Sequence, residues 1–203
     1  MNTQSNTLDF YNEHAHDFIE QTIHVDMDAL YRPFINSLSN SDDSYILDLG
    51  CGSGRDAAYF ASLGYRVSAI DGSQQLIDRA ESHHIKDIDW QCCSFNDLVK
   101  KDWQNKFNGI WACASLLHVP FNELSTLINT LLMMLKKGGV FYMSFKYGDG
   151  ERVDNERFFC DMNEKRWQDI KLHLDSRIKD TTWLTLDQRK DRDNQWFNVL
   201  IKI

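Results

Sequence analysis

Proline is scarce in this chain, and a disulfide pattern is missing. Two prolines in 203 residues, with 42% hydrophobic residues, suit an ordered globular protein of one domain. The five cysteines, at 51, 92, 93, 113 and 160, are odd in number and form no Cys-x-x-Cys pair. They read as reduced thiols rather than a disulfide framework. No apolar run approaches membrane-spanning length. The first six residues, Met1 to Asn6, are polar and lack a signal-peptide core. A cytoplasmic protein without a membrane partner is therefore expected. Basic residues are outnumbered, 22 Lys and Arg against 30 Asp and Glu, for a net charge of -8. That balance argues against bulk binding to nucleic acid, yet leaves room for a small acidic ligand held by a local arginine. His14, His16, His83, His84 and His173 have no carboxylate or cysteine grouping that would complete a metal site, so no metal is expected.

What the chain does contain is concentrated in residues 45–71. Tyr45-Ile46-Leu47-Asp48-Leu49 reads as a short buried parallel strand. Gly50-Cys51-Gly52-Ser53-Gly54 follows, and then a helix pattern through Ala57, Ala58, Phe60, Ala61 and Leu63 that stops at Gly64. Strand, glycine turn and helix let backbone press against a ligand at a helix N-terminus. A second strand, Arg66 to Asp71, ends in a carboxylate about 20 residues past the first glycine, where a nucleoside-binding βαβ unit holds its ribose hydroxyls. The dinucleotide fingerprint Gly-x-Gly-x-x-Gly is broken, because Arg55 occupies its sixth position. Asp48, two residues before Gly50, would repel a pyrophosphate but attract an ammonium group, usually through water.

An acid, then Gly-x-Gly-x-Gly, then a second acid closing the next strand resembles the first motif of class I S-adenosylmethionine-dependent methyltransferases. The resemblance implies an α/β fold: a Rossmann-like, seven-stranded, mostly parallel sheet with an antiparallel last strand and helices on both faces. It implies S-adenosyl-L-methionine as cofactor, with the ribose at Asp71 and the methionine end at the Gly50–Gly54 turn and Asp48. Leu76, Ser94 and Phe95 are the expected adenine contacts, and Cys51, Gly72 and Ala112 complete the cofactor set. Many relatives carry an aspartate where Ser94 stands, so its bond to adenine is expected to be weaker or supplied by Asn96 or Asp97. More narrowly, Trp111 to Pro120 and Ser144 to Gly148 look like a stand-alone bacterial group similar to the tellurite-resistance-type small-molecule methyltransferases.

Around this centre, residues 1–40 are expected to form a helical lid with Tyr11 its cofactor contact, and residues 41–203 the core, joined by a polar linker at Ser39 to Ser44. Ser73 is an N-cap for a helix carrying Leu76, Ile77 and Ala80. Phe107 to Ser115 reads as the fourth strand, across the switch point from the first, where ligands bind at the strands' carboxyl ends. Its Ala112-Cys113-Ala114-Ser115 lacks the Pro-Pro-aromatic signature of amino-directed DNA methyltransferases, and Cys113 lacks the preceding proline of cytosine carbon-5 enzymes. His118, just beyond, is a candidate base. Lys136 to Gly139 reads as a turn and Val140 to Phe145 as the fifth strand. Lys146 to Phe159 reads as a polar loop overhanging the crevice. Within it, Glu151 is a second candidate base, and Tyr147, Arg152 and Arg157 are candidate substrate contacts. Asn163 caps a helix with Trp167 and Ile170. Thr181 to Leu186 and Gln195 to Ile203 read as an antiparallel pair whose loop brings Arg189 or Arg192 to the site rim. The expected activity is methyl transfer to a small-molecule acceptor by a monomer or homodimer. The alternatives are a non-catalytic S-adenosylmethionine-binding partner, an RNA-modifying methyltransferase and a nicotinamide oxidoreductase.

Overall fold

The computed structural model describes residues 3–39, 44–82, 85–189 and 192–203. Three helices lead, α1 (Thr3–Glu13), α2 (Ala15–Thr22) and α3 (Asp28–Ser37). The core then runs β1 (Tyr45–Leu49), α4 (Arg55–Ser62), β2 (Arg66–Asp71), α5 (Gln74–Glu81), β3 (Ile88–Cys92), β4 (Phe107–Ala112), α6 (Phe121–Met134) and β5 (Leu135–Lys146). It closes with β6 (Gly150–Asp154), β7 (Arg157–Asp161), α7 (Glu164–Lys171), β8 (Lys179–Leu186) and β9 (Gln195–Lys202). The middle of the expected linker and the lid boundary lie outside the described residues, as do His83 and His84. Among the described residues, no helix is long and apolar enough to cross a membrane, and no cluster of metal-ligating side chains forms.

Seven strands form one sheet in the order β3-β2-β1-β4-β5-β9-β8. Pairings from β3 to β5 are parallel, and β9 runs antiparallel to both β5 and β8. The expected seven-stranded Rossmann-like sheet with a reversed final strand is thus observed. Alternation along the strands builds a core on each face. Leu47, Leu49, Ile110, Phe141, Met143 and Phe145 pack toward α6, while Ile46, Trp111, Val140 and Tyr142 pack toward α3 and α4.

Two expectations are corrected. Lys136 to Gly139 is not a free turn: β5 already begins at Leu135, which pairs with Phe107, and a register shift takes up the irregularity before Val140 meets Gly109. The polar stretch after β5 is not an open loop, because Gly150–Asp154 and Arg157–Asp161 pair as an antiparallel hairpin, a small second sheet. Its Phe158, Phe159 and Cys160 are buried against the main core, which is what fastens the hairpin there.

Asp56 pins the leading helices to the sheet. Its carboxylate accepts hydrogen bonds from the Tyr31 hydroxyl of α3 (2.6 Å), the Trp111 indole of β4 (2.8 Å) and Nε of Arg55 (2.6 Å). Burial alone would raise its pKa; the Arg55 cation and these donors outweigh that and hold the carboxyl below the usual range. Aromatic rings enclose the group, with Trp111 stacked on Tyr142 at 4.0 Å and edge-to-face with Phe34 at 5.1 Å. Removing the carboxylate strands a largely buried guanidinium and two buried donors. Asp56→Ala is therefore expected to destabilise the fold by about 3–5 kcal/mol, read from the denaturant midpoint. A loss below about 1 kcal/mol would contradict the role given to Asp56.

Candidate active site

A cavity of about 490 Å³ opens at the carboxyl ends of β1, β2 and β4, and α1 and α2 lie across it. Its size is ordinary for a small-ligand site. The floor is the glycine turn. Gly50, Gly52 and Gly54 have φ of +74°, +53° and +76°, values that L side chains rarely adopt. Space is equally decisive. A Cβ on Gly50 would stand 2.5 Å from Ser115 Oγ, and one on Gly52 would stand 2.9 Å from the Phe18 ring of α2. Gly50, Cys51 and Gly52 line the cavity, whereas Gly54 faces Trp90 and Ala80 and serves packing.

Asp71 joins the two turns. One carboxylate oxygen accepts the Gly52 N–H at 3.0 Å and the other the Ser73 N–H at 2.9 Å. The second bond links it to the next helix start, where Ser73 Oγ in turn accepts the Leu76 N–H and caps α5. Each Asp71 oxygen keeps lone-pair capacity toward the cavity that the residue lines. Burial pushes its carboxyl above the ordinary range, against the pull of these amide donors. Gly72, Leu76, Ser94 and Phe95 continue the wall from Asp71. The Ser94 hydroxyl is directed to Asp97, at 2.6 Å, rather than held free.

Asp48 departs from expectation. It is 2% exposed, absent from the cavity wall, and its Oδ2 has no hydrogen-bond partner. Burial first, and the neighbouring Asp56 second, push its carboxyl well above the usual carboxylate range. A direct anionic contact from Asp48 is therefore not what the fold presents. Ala112 is likewise fully buried behind the wall, which is formed there by Cys113, Ala114 and Ser115. Ser115 Oγ is a second buried oxygen without a partner. Sequence reasoning missed Arg55 as a wall residue. It lines the cavity while bonding Asp56 and, through Nη1, the Thr22 carbonyl of α2 at 3.1 Å. The signal was present in its place, directly after the third glycine.

On the opposite side, Tyr11 of α1 meets His118. Phe158 O can only accept, so His118 Nδ1–H donates to it at 2.6 Å. Nε2 is then the acceptor for the Tyr11 hydroxyl at 2.9 Å. Burial lowers the His118 pKa to about 4, helped by the Arg157 and Lys146 cations and opposed by the Phe158 bond. The ring is a neutral base whose orientation is fixed from β7.

The remaining candidates divide. Arg157, Arg189 and Arg192 line the cavity, and Lys146 joins them. Glu151, Tyr147 and Arg152 do not. Glu151 accepts the Phe121 N–H at 2.7 Å and so occupies the start of α6. The Tyr147 hydroxyl donates to Glu164 at 3.2 Å, and Arg152 pairs with Asp161 at 2.9 Å. Pairing of β6 with β7 sets Arg152 against Asp161 and turns Glu151 toward the start of α6, a consequence invisible while the segment was read as a loop.

Comparison with known proteins agrees with this geometry. Residues 46–139, a little under half of the chain, match the family described as a methyltransferase domain. The ubiquinone biosynthesis O-methyltransferase of Xanthomonas axonopodis pv. citri (strain 306) is 30% identical over 102 residues, 49% of this chain and 41% of that protein. The chain thus spans about two fifths of the length of the curated relatives it matches. Among solved structures, the Burkholderia thailandensis 1,6-didemethyltoxoflavin-N1-methyltransferase, with bound 1,6-didemethyltoxoflavin and S-adenosylhomocysteine, has a TM-score of 0.79 at 17% identity, covering 98% of this chain and 87% of that one. Phosphoethanolamine N-methyltransferase 2 of Haemonchus contortus, in complex with S-adenosyl-L-methionine, has a TM-score of 0.71 at 15% identity, covering 97% of this chain and 59% of the other. The chain therefore has the Rossmann-like fold of these solved structures, and its central segment, 46–139, matches the family described as a methyltransferase domain.

Proposed function

We propose that this protein is an S-adenosyl-L-methionine-dependent methyltransferase acting on a small-molecule acceptor. The observation that carries the reading is the Asp71 carboxylate at the cavity wall, braced by Gly52 and Ser73 N–H groups beside the glycine turn, whose Gly50, Cys51 and Gly52 line the same cavity. The donor set fits the cofactor. Asp71 has acceptor capacity for two ribose hydroxyls. Leu76 and Phe95 give apolar contact for an adenine, and Arg55 is a cation for the methionine carboxylate. The unpaired Ser115 Oγ at the cavity wall favours a donor group such as an ammonium nearby. Gly50, Cys51, Gly52 and Gly72 supply close backbone. When bound, the sulfonium supplies an activated methyl group.

The chain's own work is positioning and exclusion of water. Holding the acceptor in line with the methyl carbon accounts for about 7–11 kcal/mol of barrier reduction when alignment is good. Leu8 and Phe18 pack over Gly72 and Gly52, so α1 and α2 serve as the lid. His118 is the base for an acceptor that must lose a proton, with Tyr11 holding its Nε2 until the acceptor arrives. A small acceptor suits a cavity of about 490 Å³ with α1 and α2 lying across it. The unpaired thiols suit a cytoplasmic setting.

Asp71→Ala is expected to weaken S-adenosylhomocysteine binding by about 2–4 kcal/mol, roughly 30- to 1,000-fold, in calorimetry. Affinity within about twofold of wild type would remove the ribose assignment. Because the carboxylate is the accepting form and its pKa is raised, affinity should also fall on acidification sooner than an ordinary aspartate would allow. A second outcome concerns His118. Its pKa of about 4 keeps the basic form present throughout the neutral range, so methyl transfer from labelled donor should lose this group only as pH falls toward 4. An acid limb near pH 6.5 that disappears in His118→Gln would contradict the buried neutral imidazole.

A further inference from the structure

Beside His118 the cavity holds two cations that, among the described residues, form no salt bridge. Lys146 leaves the end of β5 and Arg157 opens β7, and both line the wall. They share one ring: the Lys146 ammonium lies 4.1 Å from the Phe159 centroid and the Arg157 guanidinium 5.3 Å from it. Arg157 also covers Phe10 of α1 at 4.5 Å. Among the described residues, neither cation has a carboxylate within 4 Å, whereas Arg152 next to them takes both Asp154 and Asp161 and Arg189 takes Asp187. Arg157 Nε is moreover buried without a hydrogen-bond partner.

Such an arrangement is costly by itself. Two like charges packed on one ring repel, and a buried guanidinium N–H without an acceptor forfeits its hydration. Burial, then Arg152 and Arg157, push the Lys146 ammonium below its ordinary range, with Asp154 and Asp161 pulling the other way. The Phe10 and Phe159 rings flank the guanidinium, whose planar fork suits two parallel hydrogen bonds. The chain as a whole carries a net charge of -8, so its long-range field does not draw anions in; the attraction is built locally. Position separates this pair from Arg55. Arg55 stands at the glycine turn, already engaged with Asp56 and Thr22, while Lys146 and Arg157 flank the Tyr11–His118 pair.

We propose that Lys146 and Arg157 bind an oxyanion of the methyl acceptor, a carboxylate or phosphoryl group, and so place its nucleophile beside His118. The proposal rests on the methyltransferase reading and names the acceptor class for it. Arg192, on the β8–β9 loop at the same wall, adds positive charge at the rim, whereas Arg189 there is paired with Asp187.

The test uses the whole chain saturated with S-adenosylhomocysteine and titrated separately with inorganic phosphate and with acetate, followed by calorimetry and by phosphorus and carbon NMR. Saturable one-to-one binding of either anion is expected, phosphate pointing to a phosphoryl acceptor and acetate to a carboxylate. The double variant Lys146→Gln, Arg157→Gln should lose about tenfold or more of that affinity while keeping S-adenosylhomocysteine affinity within about threefold. Arg157→Lys should fall between, because it keeps charge but not the fork. Binding of neither anion, or equal binding by the double variant, overturns the proposal. Failure of wild-type protein to bind S-adenosylhomocysteine would instead strike the methyltransferase reading, so the two failures are distinct.

Discussion

The arrangement depends on one carboxylate that has to serve two turns at once. Asp71 closes β2 and accepts an N–H from the turn after β1 and another from the turn after its own strand. Those bonds hold the backbone of two loops at the switch point in a fixed relation, and they do so because parallel pairing sets β1 and β2 side by side with Leu49 opposite Ile70. Glycine at 50 and 52 then follows from space, since Ser115 and Phe18 already fill the places where Cβ atoms would stand. A backbone surface so exposed to a cavity is unusual within a dense interior, and a flat nucleoside is the kind of ligand that exploits it.

Three aspartates near this point, two buried and one half-buried, show how environment divides one residue type among roles. Asp56, met by Arg55, Tyr31 and Trp111, stays ionised and fastens α3 to the sheet. Asp71, met by backbone amides, faces the cavity. Asp48 has an oxygen without a partner and a pKa well raised by burial, so the fold carries an unfavourable group directly behind the turn. Buried polar groups left unsatisfied cost stability, so Asp48 is a local burden on the fold rather than part of the cavity wall.

Much of the core was legible in the sequence. The 45–71 unit, the Ser73 and Asn163 caps and the reversed last strand each came from a local pattern that packing then reinforced. Gly64, read as a helix terminator, has φ of +89° just past α4. What stayed hidden was set by tertiary pairing. Gly150–Asp154 is mostly charged and Arg157–Asp161 offers only the three-residue apolar run Phe158-Phe159-Cys160 between two charges, too short a signal to reveal their pairing as a hairpin. That pairing sent Arg152 to Asp161 and Glu151 to the α6 N-terminus but left Arg157 at the cavity. Composition likewise gave no hint that His118 would be tied to Phe158 O and Tyr11, since the partners stand 40 and 107 residues away.

The central claim is that the glycine turn and Asp71 form a site for an S-adenosyl nucleoside rather than a dinucleotide. Titration of the wild-type chain with S-adenosylhomocysteine and, separately, with NAD tests it most directly. The account predicts saturable binding of one S-adenosylhomocysteine per chain and no binding of NAD at the same concentrations. Binding of NAD alone, or of neither ligand, would contradict it.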